Sequence, residues 1–255
     1  MITKANPQTW KELQTKVAEI LAQCNFDVVV EKPVSTVRES VELDVYAVES
    51  INNRKYSIAC ECKYWNKRVP KTVVHAFRTV VIDLGCNVGY IVSKSKFQSG
   101  SFEAAAYSNI ELLTWEEFQN KFFRSWYYAY FSPEVTEKLD LIMTYTEPLK
   151  PKWVRLCNDA DEILFNQLYE QYFGFGCMLM SFTTYAQSLR PDEIPNLPYI
   201  NYLSAEQQQS SNIPATILEE DGYVEFLQKC MVHAAVGVAK FKEIKKRYVA
   251  EDDYD

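Results

Sequence analysis

Apolar and polar residues alternate along two adjoining stretches of this chain. Val41, Leu43, Val45 and Ala47 alternate with Glu42, Asp44 and Tyr46, and Ile58, Cys60 and Cys62 alternate with Ala59, Glu61 and Lys63. A period of two is that of a strand with one face on a core, so each stretch predicts a strand. Between them lies Asn52-Asn53, and asparagine tolerates the positive φ that a two-residue hairpin turn demands. With that dipeptide at the turn, facing residues have numbers that sum to 105. Asp44 then stands opposite Glu61, while Leu43, Val45, Cys60 and Cys62 turn to the other face.

Around this hairpin the period changes to that of helices. Trp10, Leu13, Val17, Ile20 and Leu21 recur at helical spacing over residues 8–23, which predicts a first amphipathic helix. Asn25-Phe26-Asp27 ends it, Val28-Val29-Val30 reads as a strand, and residues 33–40 read as a loop carrying Arg38, placed to pair with Glu39 or Glu42 or to touch DNA. After the hairpin, Val73, Val74, Phe77, Val80, Val81 and Leu84 build an apolar helix over residues 71–84 that closes near Gly85, with His75 and Arg78 on one side. Val88 to Val92 follows as a buried strand, and a strand reached through a crossover helix pairs parallel to an earlier one. A short helix over residues 99–107, an edge strand over 110–114 and a helix from Trp115 to about Tyr130 complete this half; Thr114-Trp115-Glu116-Glu117 has the capping-box pattern. The order describes an α/β sandwich around a mixed sheet.

Ser132-Pro133 marks a boundary, so domains are expected over residues 1–130 and 131–255. The second half reads as helices over 134–146 and 159–189, a loop from Pro191 to Pro198, a polar stretch from Gln207 to Ser211, and a long helix from Glu219-Glu220-Asp221 to about Tyr248. Lys240, Lys242, Lys245, Lys246 and Arg247 close that helix, the charge order its dipole favours. The tail EDDYD reads as disordered. No chemistry is legible in this half, and a homo-oligomeric or protein-partner role is the expectation for it.

Charge separates the halves further. The net −7 argues against a dedicated nucleic-acid binder, yet residues 1–130 hold 16 Lys and Arg against 14 Asp and Glu, and residues 131–255 hold 11 against 20. Any nucleic acid should therefore meet the first half, where Lys63, Lys67, Arg68 and Lys71 cluster as phosphate contacts or as a solvated loop. Seven cysteines without a CxxC pair exclude a disulfide framework or zinc knuckle, and Cys60 and Cys62 read as small core residues. The segment MITKANPQTW lacks the apolar core of a signal peptide, and no apolar run approaches the roughly 20 residues of a membrane helix. A cytoplasmic protein without membrane contact is expected.

The hairpin also carries the candidate chemistry. Directly opposed residues have Cβ atoms about 4.5–5.5 Å apart, which lets Asp44 and Glu61 share one hard cation with oxygen ligands at roughly 2.0–2.1 Å if it is Mg²⁺. Lys63 points the same way as Glu61. Two acids and an ammonium on one sheet face can hold a cation that neutralises a scissile phosphate, and can stabilise the added charge. Glu42, one strand step before Asp44, is a secondary candidate. The alternative is a solvated hairpin face, where such pairs contribute about 0–1 kcal/mol.

Asp44 followed at hairpin distance by Glu61-Cys62-Lys63 resembles the D...(D/E)xK signature of the PD-(D/E)xK nuclease superfamily, and the run from Trp10 to Trp126 resembles the catalytic domain of Mrr-like restriction endonucleases. Gly89-Tyr90-Ile91-Val92-Ser93, Phe97-Gln98 and Leu112-Leu113-Thr114-Trp115 continue the likeness. The resemblance implies a restriction-endonuclease-like core, a central mixed sheet in αβββαβ order flanked by helices, joined to a mainly α-helical C-terminal domain. It implies a Mg²⁺- or Mn²⁺-dependent endonuclease on DNA, serving restriction of foreign or modified DNA in bacterial defence. Asp44 and Glu61 would hold the cation with the Cys62 carbonyl as a further ligand, and Lys63 would polarise phosphate or water. The first helix of that family often carries a Glu that assists the metal; here the position falls on Gln14, which can coordinate or hold a water but adds no charge. A non-catalytic module that uses the same scaffold to bind DNA or a protein is the alternative, and an RNA-directed nuclease differs only in substrate.

Overall fold

The computed structural model describes residues 1–249; the tail EDDYD lies outside them. The chain divides into two compact units, Met1–Tyr130 and Phe131–Asp255. In the first, helix α1 (Trp10–Gln23) is followed by strands β1 (Asp27–Ser35), β2 (Ser40–Ile51) and β3 (Arg54–Lys63), helix α2 (Lys71–Asp83), strand β4 (Val88–Ser93), helix α3 (Ser99–Ala105), strand β5 (Ile110–Thr114) and helix α4 (Trp115–Trp126). The five strands lie in the order β1-β2-β3-β4-β5, antiparallel across the meander and parallel from β3 to β5. This is the mixed α/β sheet expected from the sequence.

Strand alternation decides which helix covers which face. Ile91 joins Ala59, Val74, Phe77 and Val81 in the core under α2. Its neighbour Tyr90 points the other way and meets the rings of Phe118 and Phe122 of α4 edge-on, at 6.2 and 5.7 Å. Helix α1 packs with α4, and α2 with α3, so the sheet is covered on both sides. All six residues of β4 are buried, as a strand between two layers requires.

Local signals set most of the ends. Thr9 caps α1 by accepting from the Glu12 amide at 3.1 Å, and Asn25 at φ 67° stops it in the left-handed region. Thr114 and Glu117 form the capping box of α4. The α-helix ends at Trp126, however, and a π-helical segment carries residues 127–131. Strand β1 is longer than the three valines predict and runs through Pro33, which an edge strand tolerates because one side of its backbone has no ladder to serve.

Gly89 allows α2 to approach the sheet. A Cβ there would lie 2.7 Å from Ile110 Cδ1, 2.7 Å from Val81 Cγ2 and 2.9 Å from Phe77 Cε1, all buried and without room to retreat. Gly89→Ala is expected to destabilise the first unit by about 1–3 kcal/mol, seen as a lower denaturation midpoint at unchanged m-value.

The second unit is helical: α5 (Ser132–Lys138), α6 (Asp140–Tyr145), α7 (Asp159–Met180), α8 (Thr184–Leu189), α9 (Ala205–Ser210), α10 (Ala215–Leu218) and α11 (Tyr223–Lys245). The helix expected over 134–146 breaks at Leu139, and that over 159–189 breaks where the Thr183 hydroxyl caps α8. The last helix begins at Tyr223, after the Glu220 carboxylate has accepted from the Asp221 and Gly222 amides at 3.0 and 3.1 Å. Helices α6, α7 and α11 pack on Tyr145, Phe165, Tyr172 and Phe241, all buried in the core of this unit. Tyr248 Oη donates to Asp161 Oδ2 at 2.5 Å and ties the end of the chain to the start of α7.

Candidate active site

The hairpin has the register its turn dictates. Asn52 and Asn53 adopt φ of 50° and 62°, the positive values of a two-residue turn whose twist matches the strands. Facing pairs run from Ile51 and Arg54 to Val45 and Cys60. Asp44 and Glu61 come next, just past the last ladder pair.

At Asp44 the sheet changes character. Its carboxylate Oδ2 accepts from the Cys62 backbone amide at 2.6 Å, taking the place of a strand carbonyl. Its own carbonyl accepts from Gln14 Nε2 of α1 at 2.8 Å. On the other side, Glu31 of β1 falls opposite Asp44, is absent from the ladder and sits at φ 51°. Positive φ in a residue other than glycine costs about 1–3 kcal/mol and persists only where the surroundings enforce it.

This interruption overturns one expectation. Leu43 was placed on the face of Val45, Cys60 and Cys62, but it packs in the α2-side core with Ala59 and Phe77. Tyr46 packs against the same core, although it lies three positions after Leu43. An unbroken strand alternates every residue, so the two share a side only because the backbone turns over at Asp44.

Glu61 and Lys63 lie together. Lys63 Nζ donates to Glu61 Oε1, and both side chains are about four-fifths buried. The same ammonium lies 5.5 Å from the Trp65 ring centroid, a cation–π contact that further orients it. With Arg38, Glu42, Trp65 and Asp83, the pair lines a cavity of about 540 Å³, within the range of small-molecule sites. Asp44 lies outside that lining. Arg38 reaches Asp83 at 3.5 Å, so its ionic partner is neither Glu39 nor Glu42.

Burial first, and the neighbouring Glu61 carboxylate second, push Asp44 up from an ordinary 3.8 to about 6. The Cys62 amide, Lys63 and a hydrogen bond from Trp10 oppose the rise without cancelling it. The Trp10 contact was missed from sequence, although Trp10 and Gln14 are one helical turn apart and share a face. Burial also holds the Cys62 thiol far above its usual range, so that side chain is an inert core group rather than a thiolate ligand.

A divalent cation fits this donor set on two observations. Gln14 is fully buried, and while its amide nitrogen is tied to Asp44, its Oε1 has no partner among the described residues. The raised Asp44, buried and next to the Glu61 carboxylate, is a group whose charged form a nearby cation would favour. Among the described residues no cluster of three or more His, Cys, Asp or Glu exists, so any cation would rest on two carboxylates with neutral oxygens and water. Mg²⁺ accepts such a set because it retains several waters.

The restriction endonuclease family, in its Mrr catalytic-domain form, matches residues 6–122. Curated proteins give no significant match. A crystal structure of a protein of unknown function aligns with 90% of this chain and 98% of its own at 13% identity, but its TM-score of 0.36 is too low to carry an argument. Among the described residues no helix is long and apolar enough to cross a membrane. The matched region spans α1 through most of α4 and contains Asp44, Glu61 and Lys63, so it is the N-terminal unit that is similar to the Mrr-type restriction endonuclease catalytic domain.

Proposed function

We propose that this chain is a Mg²⁺- or Mn²⁺-dependent endonuclease that hydrolyses DNA phosphodiester bonds, acting in the cytoplasm to restrict foreign or modified DNA. The observation that supports the proposal is that Asp44 lies near enough to Glu61 and Lys63 to feel both charges, with Lys63 bonded to Glu61 and a buried Gln14 amide oxygen that has no partner among the described residues. Asp44 and Glu61 would hold the cation, with Gln14 Oε1 and the Cys62 carbonyl as candidate neutral ligands. The bound cation supplies charge neutralisation at the scissile phosphate and activation of the attacking water. Lys63, which is bonded to Glu61, would offer its ammonium to the phosphate, where negative charge grows in the transition state. Asp44 must be ionised to take part, and the Cys62 amide keeps its carboxylate in place. The helical unit provides an oligomeric or protein-partner contact.

Plasmid nicking by purified protein tests this directly: cleavage is expected with Mn²⁺ or Mg²⁺ and none with EDTA, and a pure preparation inert toward duplex, single-stranded and modified DNA would reject it. The neutral Gln14 favours a second reading, a scaffold that binds DNA without cutting it. The variant Gln14→Glu separates the two. A third carboxylate at this fully buried position is expected to lower the melting temperature without cation and to enlarge the stabilisation that Mn²⁺ provides, by roughly 1 kcal/mol or more in each direction. A binding scaffold without a cation site gives the first effect only.

A further inference from the structure

Five cations that the mechanism does not use lie at one end of the sheet, on two loops and on the first residue of α2. Lys67, Arg68 and Lys71 follow β3, and Lys94 and Lys96 follow β4. All five are exposed. Because β3 and β4 are parallel, with Lys63 beside Ser93, both loops leave the sheet in the same direction from neighbouring strands about 4.8 Å apart. Between Cys62 and Phe102 the sequence holds a single acid, Asp83, which ends α2 at the opposite end of that helix. Among the described residues none of the five cations pairs with a carboxylate.

The loops are also fastened to each other. The Lys94 amide donates to the Lys63 carbonyl at 3.1 Å, the Val69 amide to the Lys96 carbonyl at 3.1 Å, and the Gln98 amide to the Val69 carbonyl at 3.0 Å. Ser95 Oγ donates to the Lys67 carbonyl at 2.7 Å, and Ser101 Oγ to the Val69 carbonyl at 2.7 Å. Aromatic faces hold two of the ammonium groups: Lys94 Nζ lies 4.3 Å from the Tyr64 ring centroid and Lys67 Nζ 5.9 Å from that of Trp65. Asn66 Oδ1 accepts from Lys94 at 2.9 Å. Like charges concentrated on rigid backbone repel one another, and the fixed rotamers reduce the entropy lost when an anion binds.

We propose that these two loops form one ridge that grips the sugar-phosphate backbone of duplex DNA beside Glu61 and Lys63, with Lys94 and Lys96 as positioning residues. The identity of the polyanion rests on the nuclease reading; the ridge itself rests on the loop geometry. Each phosphate contact releases condensed counterions, so affinity falls with salt at a slope of about −0.9 per contact.

The test is fluorescence anisotropy of a labelled duplex with the full chain in Ca²⁺, across about 50 to 200 mM KCl. Lys94→Ala/Lys96→Ala and Lys67→Ala/Arg68→Ala are each expected to flatten the salt slope by about two contacts and to weaken binding by about tenfold or more. Lys55→Ala, exposed beside the Asn52-Asn53 turn, is expected to match the wild type. Melting curves equal to wild type exclude unfolding as the cause. Wild-type slopes in both double variants, absence of duplex binding by the wild type, or preference for RNA over duplex DNA would each overturn the proposal. Wild-type protein that binds with the expected slopes but never cleaves with Mn²⁺ supports the ridge and rejects the nuclease reading instead.

Discussion

Asp44→Asn is expected to abolish metal-dependent cleavage while leaving the cation-free protein at least as stable as the wild type. The asparagine oxygen can still accept from the Cys62 amide, so the local backbone stays in place. What disappears is one of two charges that face the cation, and a loss of about a thousandfold corresponds to about 4 kcal/mol of transition-state stabilisation. The stability effect has the opposite sign. Asp44 titrates near 6 in the folded protein against 3.8 as an ordinary carboxylate, so the unfolded chain releases its proton first and native stability declines as pH rises through that window. Asparagine carries no such charge, and at pH 8 it should stabilise the cation-free protein by about 1–2 kcal/mol after allowance for solvent screening. Saturating Mn²⁺ should then raise the melting temperature of the wild type and not of the variant. Residual cleavage within tenfold of wild type would remove Asp44 from the mechanism.

Lys63→Met is expected to separate cation binding from chemistry. Methionine preserves the apolar stem beside Trp65 but has no ammonium, so Glu61 is left free for the cation. Mn²⁺ affinity measured by calorimetry should stay level or increase. Cleavage should fall by about 100- to 1000-fold, the scale seen when one donor to a developing anion is removed. A variant that loses cation binding and cleavage together would instead make Lys63 a structural partner of Glu61. The pH profile adds a check: with Asp44 half-protonated near 6, wild-type cleavage should drop below that pH, whereas native stability without cation should not.

Much of the hairpin was legible along the chain because its determinants are local. Two asparagines set the turn, and the turn sets the register as far as Val45 and Cys60, one residue short of Asp44 and Glu61. Capping of α4 and the crossover through α2 are equally local. The face of Leu43 was not legible, since the reversal at Asp44 depends on Gln14 from a helix 30 residues earlier and on a strained Glu31 in the next strand. Arg38 went to Asp83 rather than to its sequence neighbours because the end of α2 returns to the β1–β2 loop in space. The ridge was half visible: Lys67, Arg68 and Lys71 form a run, whereas Lys94 and Lys96 join them only through parallel pairing of β3 and β4.

By itself, the order of residues determined which segments of the first half become strands and helices, the register of the hairpin and which half carries the nuclease signature, because each of these follows from periodicity, turn chemistry or short spacing. Tertiary structure decided how deeply Asp44 is buried, which atoms restrain it, and that Gln14 presents an acceptor without a partner among the described residues. Burial and hydrogen-bond satisfaction are properties of packed surroundings, and those surroundings come from elements far apart in the chain.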